Sequence, residues 1–241
     1  MENQFDPRAT GFNAASVGVP RAARDVGLRS YMLSVYNYMA SAVLLTGVVA
    51  LLFFNSGYAA QVMQTPLRWL IMLAPLGFVF AMSFGVNRMK TSTVQALFWG
   101  FAVAMGLSMS TIFLVYTGVS IAQTFFAVAA AFMGLSLYGY TTKKDLSGFG
   151  TFLIMGVVGL LVALVINMFL RSPAMQLAIS AIGVLLFAGL TAYDTQKIKS
   201  MYAHVAGTDM IGKSAIMGAL TLYLDFINMF QFMLSFMGNR R

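Results

Sequence analysis

Of the seven acidic residues in this 241-residue chain, Asp194 and Asp225 fall inside long apolar stretches. The other five, Glu2, Asp6, Asp25, Asp145 and Asp209, lie in polar segments where water solvates them. A carboxylate at the centre of a membrane-spanning helix costs roughly 2.5 to 3.5 kcal/mol, so such residues face the bundle interior and serve ion paths or proton relays. If the two carboxyl groups meet away from water, both cannot stay ionised cheaply, and they share a proton and titrate as one unit. Deprotonated, with backbone carbonyls and Asn228 one turn beyond Asp225, they offer the hard oxygen ligands that Ca²⁺ accepts. Proton sensing and calcium passage then compete at one place. In the alternative reading, Asp194 pairs locally with Lys197 and Asp225 hydrogen-bonds to a neighbouring helix.

Other chemistry is poorly supplied. With no cysteine there is no disulfide, thiolate metal site or thiol nucleophile, and the single histidine, His204, excludes multi-histidine zinc sites. His204 reads as a solvated loop residue, far from any membrane-embedded serine, which excludes rhomboid-like chemistry. No lysine falls in the middle of an apolar stretch, which disfavours a retinal-type Schiff base. Arg88, at the end of the second stretch, either snorkels as an interfacial anchor or reaches the aspartates from the side.

The elements that position the two acids follow from composition. Hydrophobic residues make up 59% of the chain and charged residues only 9%, against about 25% charged in a soluble domain. Roughly 20 apolar residues cross a bilayer once, and apolar stretches occur at about 31 to 54, 68 to 87, 94 to 116, 120 to 140, 149 to 170, 175 to 196 and 214 to 236. The expectation is an all-α integral membrane protein: a polar, flexible cytoplasmic tail over 1–30, without a cleavable signal sequence, and a seven-helix bundle over 31–237. The third and fourth stretches, separated by Thr117, Gly118 and Val119, predict a tight helical hairpin. Gly100 with Ala104, Gly156 with Leu160, and Gly183 with Phe187 and Ala188 are expected packing positions, and no strict G-x-x-x-G pair marks a dimer face.

The net charge of +8 reflects topology rather than nucleic-acid binding. With the N-terminus in the cytoplasm, all of the 15 basic residues except Arg68, Arg171, Arg240 and Arg241 fall on the inside, as the positive-inside rule requires. Seven spans then put the C-terminus outside, whereas a re-entrant last stretch returns it to the inside. Asp194 is expected toward the cytoplasmic end of the sixth span and Asp225 near the middle of the seventh. Because those two helices run in opposite directions, their acids are natural neighbours.

The run Ala188-Gly-Leu-Thr-Ala-Tyr-Asp-Thr-Gln-Lys-Ile198, followed by Ala219-Leu-Thr-Leu-Tyr-Leu-Asp-Phe-Ile-Asn-Met-Phe230, resembles the Bax inhibitor family of membrane proteins, and its bacterial members in particular. The likeness extends to the seven-span layout and the Lys143-Lys144-Asp145-Leu146 loop. It implies six helices around a central C-terminal one, a pH-sensitive aspartate pair at Asp194 and Asp225, and a calcium leak, with no cofactor beyond Ca²⁺ as permeant ion. It also implies a multi-pass protein of the bacterial inner membrane, with the C-terminus periplasmic. In bacterial relatives an arginine at the inner end of the second helix engages the pair, and Arg88 takes the similar place; some relatives carry an acid in the second span, where this chain has none.

The expected function is therefore non-enzymatic: a pH-sensitive calcium leak, with lipid, protons and Ca²⁺ as partners and no nucleic acid. A second expectation is a modulator of a membrane-bound quality-control protease, with the tail as recognition handle. Intramembrane aspartyl proteolysis is a remote third. Such proteases place the second aspartate in Gly-x-Gly-Asp before a later Pro-Ala-Leu helix, whereas Asp225 follows Leu222-Tyr223-Leu224.

Overall fold

The computed structural model describes residues 21–241, with side chains from Asp25 onward. The first twenty residues, and with them most of the tail expected as a recognition handle, lie outside the described residues. The helices are α1 (Arg21–Asn55), α2 (Tyr58–Met63), α3 (Leu67–Gly85), α4 (Thr91–Met109), α5 (Ile112–Val115), α6 (Gly118–Thr141), α7 (Ser147–Leu170), α8 (Pro173–Val205) and α9 (Met210–Met237). Seven segments, those of α1, α3, α4 with α5, α6, α7, α8 and α9, are long and apolar enough to cross a membrane. The chain is an all-α, multi-pass integral membrane protein.

Local chemistry sets several boundaries. Thr117 caps α6 by accepting the Ser120 N–H, and Ser172 caps α8 by accepting that of Met175, with Pro173 in the first turn. Gly57 and Gly207 take the left-handed conformations that end α1 and α8. The expected hairpin forms with Tyr116 and Thr117 between α5 and α6.

Two helices overrun their apolar stretches. α1 starts at Arg21, so residues 21–30 are helical rather than part of an irregular tail, and α8 continues to Val205, carrying the exposed His204 in its last turn instead of a loop. Hydropathy stops at the membrane edge, but a helix whose backbone bonds are already propagating does not. The overrunning turns also pack on each other: the Tyr31 and Tyr202 rings lie 5.5 Å apart.

α9 is the centre. Of its most apolar window 61% is buried, against 39% or less in the other spans. α1, α4, α6 and α8 pack directly on it, while α3 sits outside against α4 and α7 outside against α8. The six helices thus surround the seventh in two layers. Helix contacts close to backbone distance occur at Gly106, where a Cβ would stand 2.8 Å from the Thr46 carbonyl oxygen, and at Gly139, where it would collide with the carbonyl of Ala192. Gly100, Gly156 and Gly183 instead lie under the side chains of Phe78, Leu186 and Phe232.

The last residues fold back as a strap. Arg240 bridges to Tyr116, Thr117 N–H donates to Asn239 O, Arg241 N–H donates to Val115 O, and Asn239 N–H donates to Ser120 Oγ at 2.9 Å. The Arg241 guanidinium stacks 5.6 Å from the Phe54 ring centroid. This ties the end of α9 to the α5–α6 turn on the face opposite the start of α1.

Candidate functional site

Asp194 stands eleven residues before the end of α8 and Asp225 fifteen after the start of α9, roughly 17 and 22 Å of helix respectively. Since the two helices are antiparallel neighbours, these offsets bring the acids to similar depth. The two carboxyl groups are within hydrogen-bonding reach of each other. Both are buried, Asp194 at 8% and Asp225 at 4% exposure. Asp225 Oδ2 has no hydrogen-bond partner, the one such buried side-chain oxygen or nitrogen among the described residues. A buried acceptor without a partner is rare, and here it belongs to an acid in the central helix. Two carboxyl groups in contact require at least one proton between them for a hydrogen bond to exist.

Hydroxyl groups tie the two helices that carry the pair to their neighbours. Thr195, next to Asp194, donates to Thr191 O at 2.7 Å, which spends its only proton. The 2.9 Å contact between Thr195 and Ser136 of α6 is therefore donated by Ser136, and the 2.7 Å contact between Ser136 and Tyr36 of α1 by Tyr36. A second relay has the same logic. Thr46 of α1 donates to Ala102 O of α4 at 2.9 Å, so the 2.7 Å bond between Thr46 and Tyr223 of α9 is donated by Tyr223. Tyr36, Thr46, Ser136, Thr195 and Tyr223 were not singled out in the sequence. Their signal is there in hindsight: isolated hydroxyls in apolar stretches, each needing a partner once removed from water.

On the side away from the start of α1, Phe226 follows Asp225 and meets Phe125 and Phe132 of α6 edge-on, each at 5.6 Å between centroids, with Phe230 6.3 Å from Phe125. These rings pack α6 against α9.

Among the described residues, no hydrogen bond joins Asn228 or Arg88 to the pair, while Lys197 lies near enough to Asp194 to act on its charge. Asn228 turns its amide back onto its own helix, donating to Leu224 O at 2.8 Å. Arg88 is exposed in the turn after α3, its N–H bonded to Gly85 O. The turn it stands in leads into α4, whose first residue, Thr91, lies 3.0 Å from where a Cβ on Gly212 of α9 would stand. Lys197 Nζ lies 5.9 Å from the Tyr193 ring centroid. No group of three or more His, Cys, Asp or Glu side chains among the described residues is arranged to hold a metal ion. Asp194 and Asp225 alone supply too few oxygens for a resident calcium site, which takes six to eight. They suit an ion in transit that keeps part of its water.

In the loop that carries the paired lysines, Asp145 Oδ1 accepts the Ser147 N–H at 2.9 Å. Hydrogen bonding to Ser147 holds this exposed carboxyl below the usual carboxylate range. Gln196 of α8 fixes the same loop by accepting the Leu146 N–H and donating to Lys144 O.

Comparison with known proteins gives a consistent result. Residues 28–241 match the family model described as "Inhibitor of apoptosis-promoting Bax1". The Rickettsia prowazekii protein RP147 is 50% identical over 219 residues, covering 90% of this chain and 92% of that protein. The inner membrane protein YbhL of Escherichia coli K12 is 44% identical over 230 residues, covering 94% and 97%. A protein of Caulobacter vibrioides is 45% identical, covering 95% and 96%.

Proposed function

The chain belongs to the Bax inhibitor-1 family, and from that premise we propose that it is a proton-controlled cation leak of the bacterial inner membrane, with Ca²⁺ as permeant ion and no catalytic role. The observation that carries this reading is the buried contact of Asp194 with Asp225, with Asp225 Oδ2 unpartnered. The basic residues favour a cytoplasmic start of α1 and a periplasmic C-terminus. The inner-membrane assignment is carried over from YbhL.

With a proton between them the acids are tied together and hold α8 against α9. Without it, two carboxylates in contact repel by a few kcal/mol at an effective dielectric of about 20, which favours parting of α8 from α9. The same deprotonated oxygens become ligands for a partly hydrated Ca²⁺. Protons and Ca²⁺ therefore compete, and Ca²⁺ flux falls as pH falls.

The test is Ca²⁺ flux into dye-loaded liposomes between acidic and neutral pH. Wild type loses flux on acidification, and Asp225→Asn, with one titrating group removed, flattens the profile. Equal flux in wild type and Asp225→Asn at every pH overturns the reading.

A further inference from the structure

We propose that the groove between α1 and α6 holds the acyl chain of one anionic phospholipid from the leaflet on the side where α1 begins. α1 and α6 both pack on α9 but part from each other, leaving a cavity of about 850 Å³. Phe226 of the central helix lies at its floor. The walls belong to segments that cross the membrane, so the groove opens toward lipid.

Its dimensions and charge select the occupant. From Met32 to Leu44, the apolar part of the α1 wall covers thirteen residues, roughly 18 Å of helix from first to last. That approximates one leaflet of a hydrocarbon core about 30 Å thick. The deep end is closed by Phe125 and Phe226, and the hydroxyls of Tyr36 and Ser136 along the wall already bond to each other. The groove therefore asks for hydrocarbon and offers little to a polar ligand.

The other end is cationic. Arg29 lines the mouth, facing Tyr140 across the groove. Lys199 Nζ donates to Tyr140 O at 2.7 Å and sits 4.9 Å from its ring centroid, leaving two of its N–H groups for another acceptor. Among the described residues, no acidic residue lines the groove. A guanidinium and an ammonium at headgroup depth above an apolar slot of one-leaflet length fit a phosphate-bearing, net-negative headgroup with its chain below.

The experiment is native mass spectrometry of the full chain, extracted gently from bilayers of equal phosphatidylglycerol and phosphatidylcholine. The expected result is one retained lipid per chain, with phosphatidylglycerol favoured at least fivefold over phosphatidylcholine. Ala129→Trp, which fills the groove from α6, lowers retention at least tenfold, and Ala40→Trp does so from α1. Arg29→Gln combined with Lys199→Gln keeps a lipid but brings the ratio back to that of the bilayer. Wild type retaining no lipid, or both lipids equally, overturns the proposal whatever the variants do. So does unchanged retention in a filled variant that elutes as the wild type, or a lipid-free dimer whose second copy covers the groove.

Discussion

Thr46 and Tyr223 allow a sharp test of the polar packing around the central helix, because the direction of each hydrogen bond is fixed. Thr46 gives its only proton to Ala102 O, and Tyr223 gives its own to Thr46. Tyr223→Phe removes the last donor in the chain and leaves Thr46 bonded. The loss is then a single interhelical hydrogen bond, about 0.6 kcal/mol in membrane proteins. Thr46→Val removes the acceptor instead and strands the phenol of a fully buried tyrosine, which costs about 1 to 3 kcal/mol. Adding Tyr223→Phe to Thr46→Val takes the stranded group away, so the double variant is more stable than Thr46→Val alone. Reversible unfolding in mixed micelles, measured for all four proteins, reads these differences directly. A Tyr223→Phe loss equal to or larger than that of Thr46→Val, or simple additivity in the double variant, refutes the assigned directions.

Further outcomes follow from other positions. Gly139→Val forces a side chain into the Ala192 carbonyl, a backbone atom that cannot rotate away; a loss of about 2 kcal/mol or more is expected, read as a lowered detergent melting temperature, while Gly134→Val, with nothing within 4 Å, stays near wild type. Asp145 keeps its contact with Ser147 as its charged form. Its contribution is present above the ordinary carboxylate range and is lost only as pH falls through its lowered value, so Asp145→Asn leaves the flux profile near neutrality unchanged. Arg88→Ala, at an exposed position in the α3–α4 turn, likewise leaves the pH dependence of flux as in wild type. A flattened profile in liposomes would show that the arginine reaches the pair.

The aspartate pair was legible in the sequence because a charge in an apolar stretch is an anomaly that one residue reveals. Depth was less so: the apolar stretch around Asp194 ends near residue 196, but α8 runs to Val205, placing the acid well inside its helix. Arg88 shows a different limit. Its position along the chain matches the membrane edge, yet its reach toward the acids depends on how the α3–α4 turn sits against the start of α9. The Tyr36, Ser136 and Thr195 relay and the groove beside it arise where three helices converge or diverge. No periodicity within a single helix encodes that.

The C-terminal strap bears on how the site can open. With Asn239 and Arg241 pinned to the α5–α6 turn, α9 is anchored at one end and cannot slide lengthwise past α6 without breaking those bonds. It behaves as a lever on a fixed pivot. A small tilt at the strap becomes a wider swing at Asp225, about fourteen residues away and roughly 21 Å along the axis, and a wider one still at Met210. In the proposed leak, a parting of α9 from α8 is therefore widest toward the lysine-rich face and smallest at the strap.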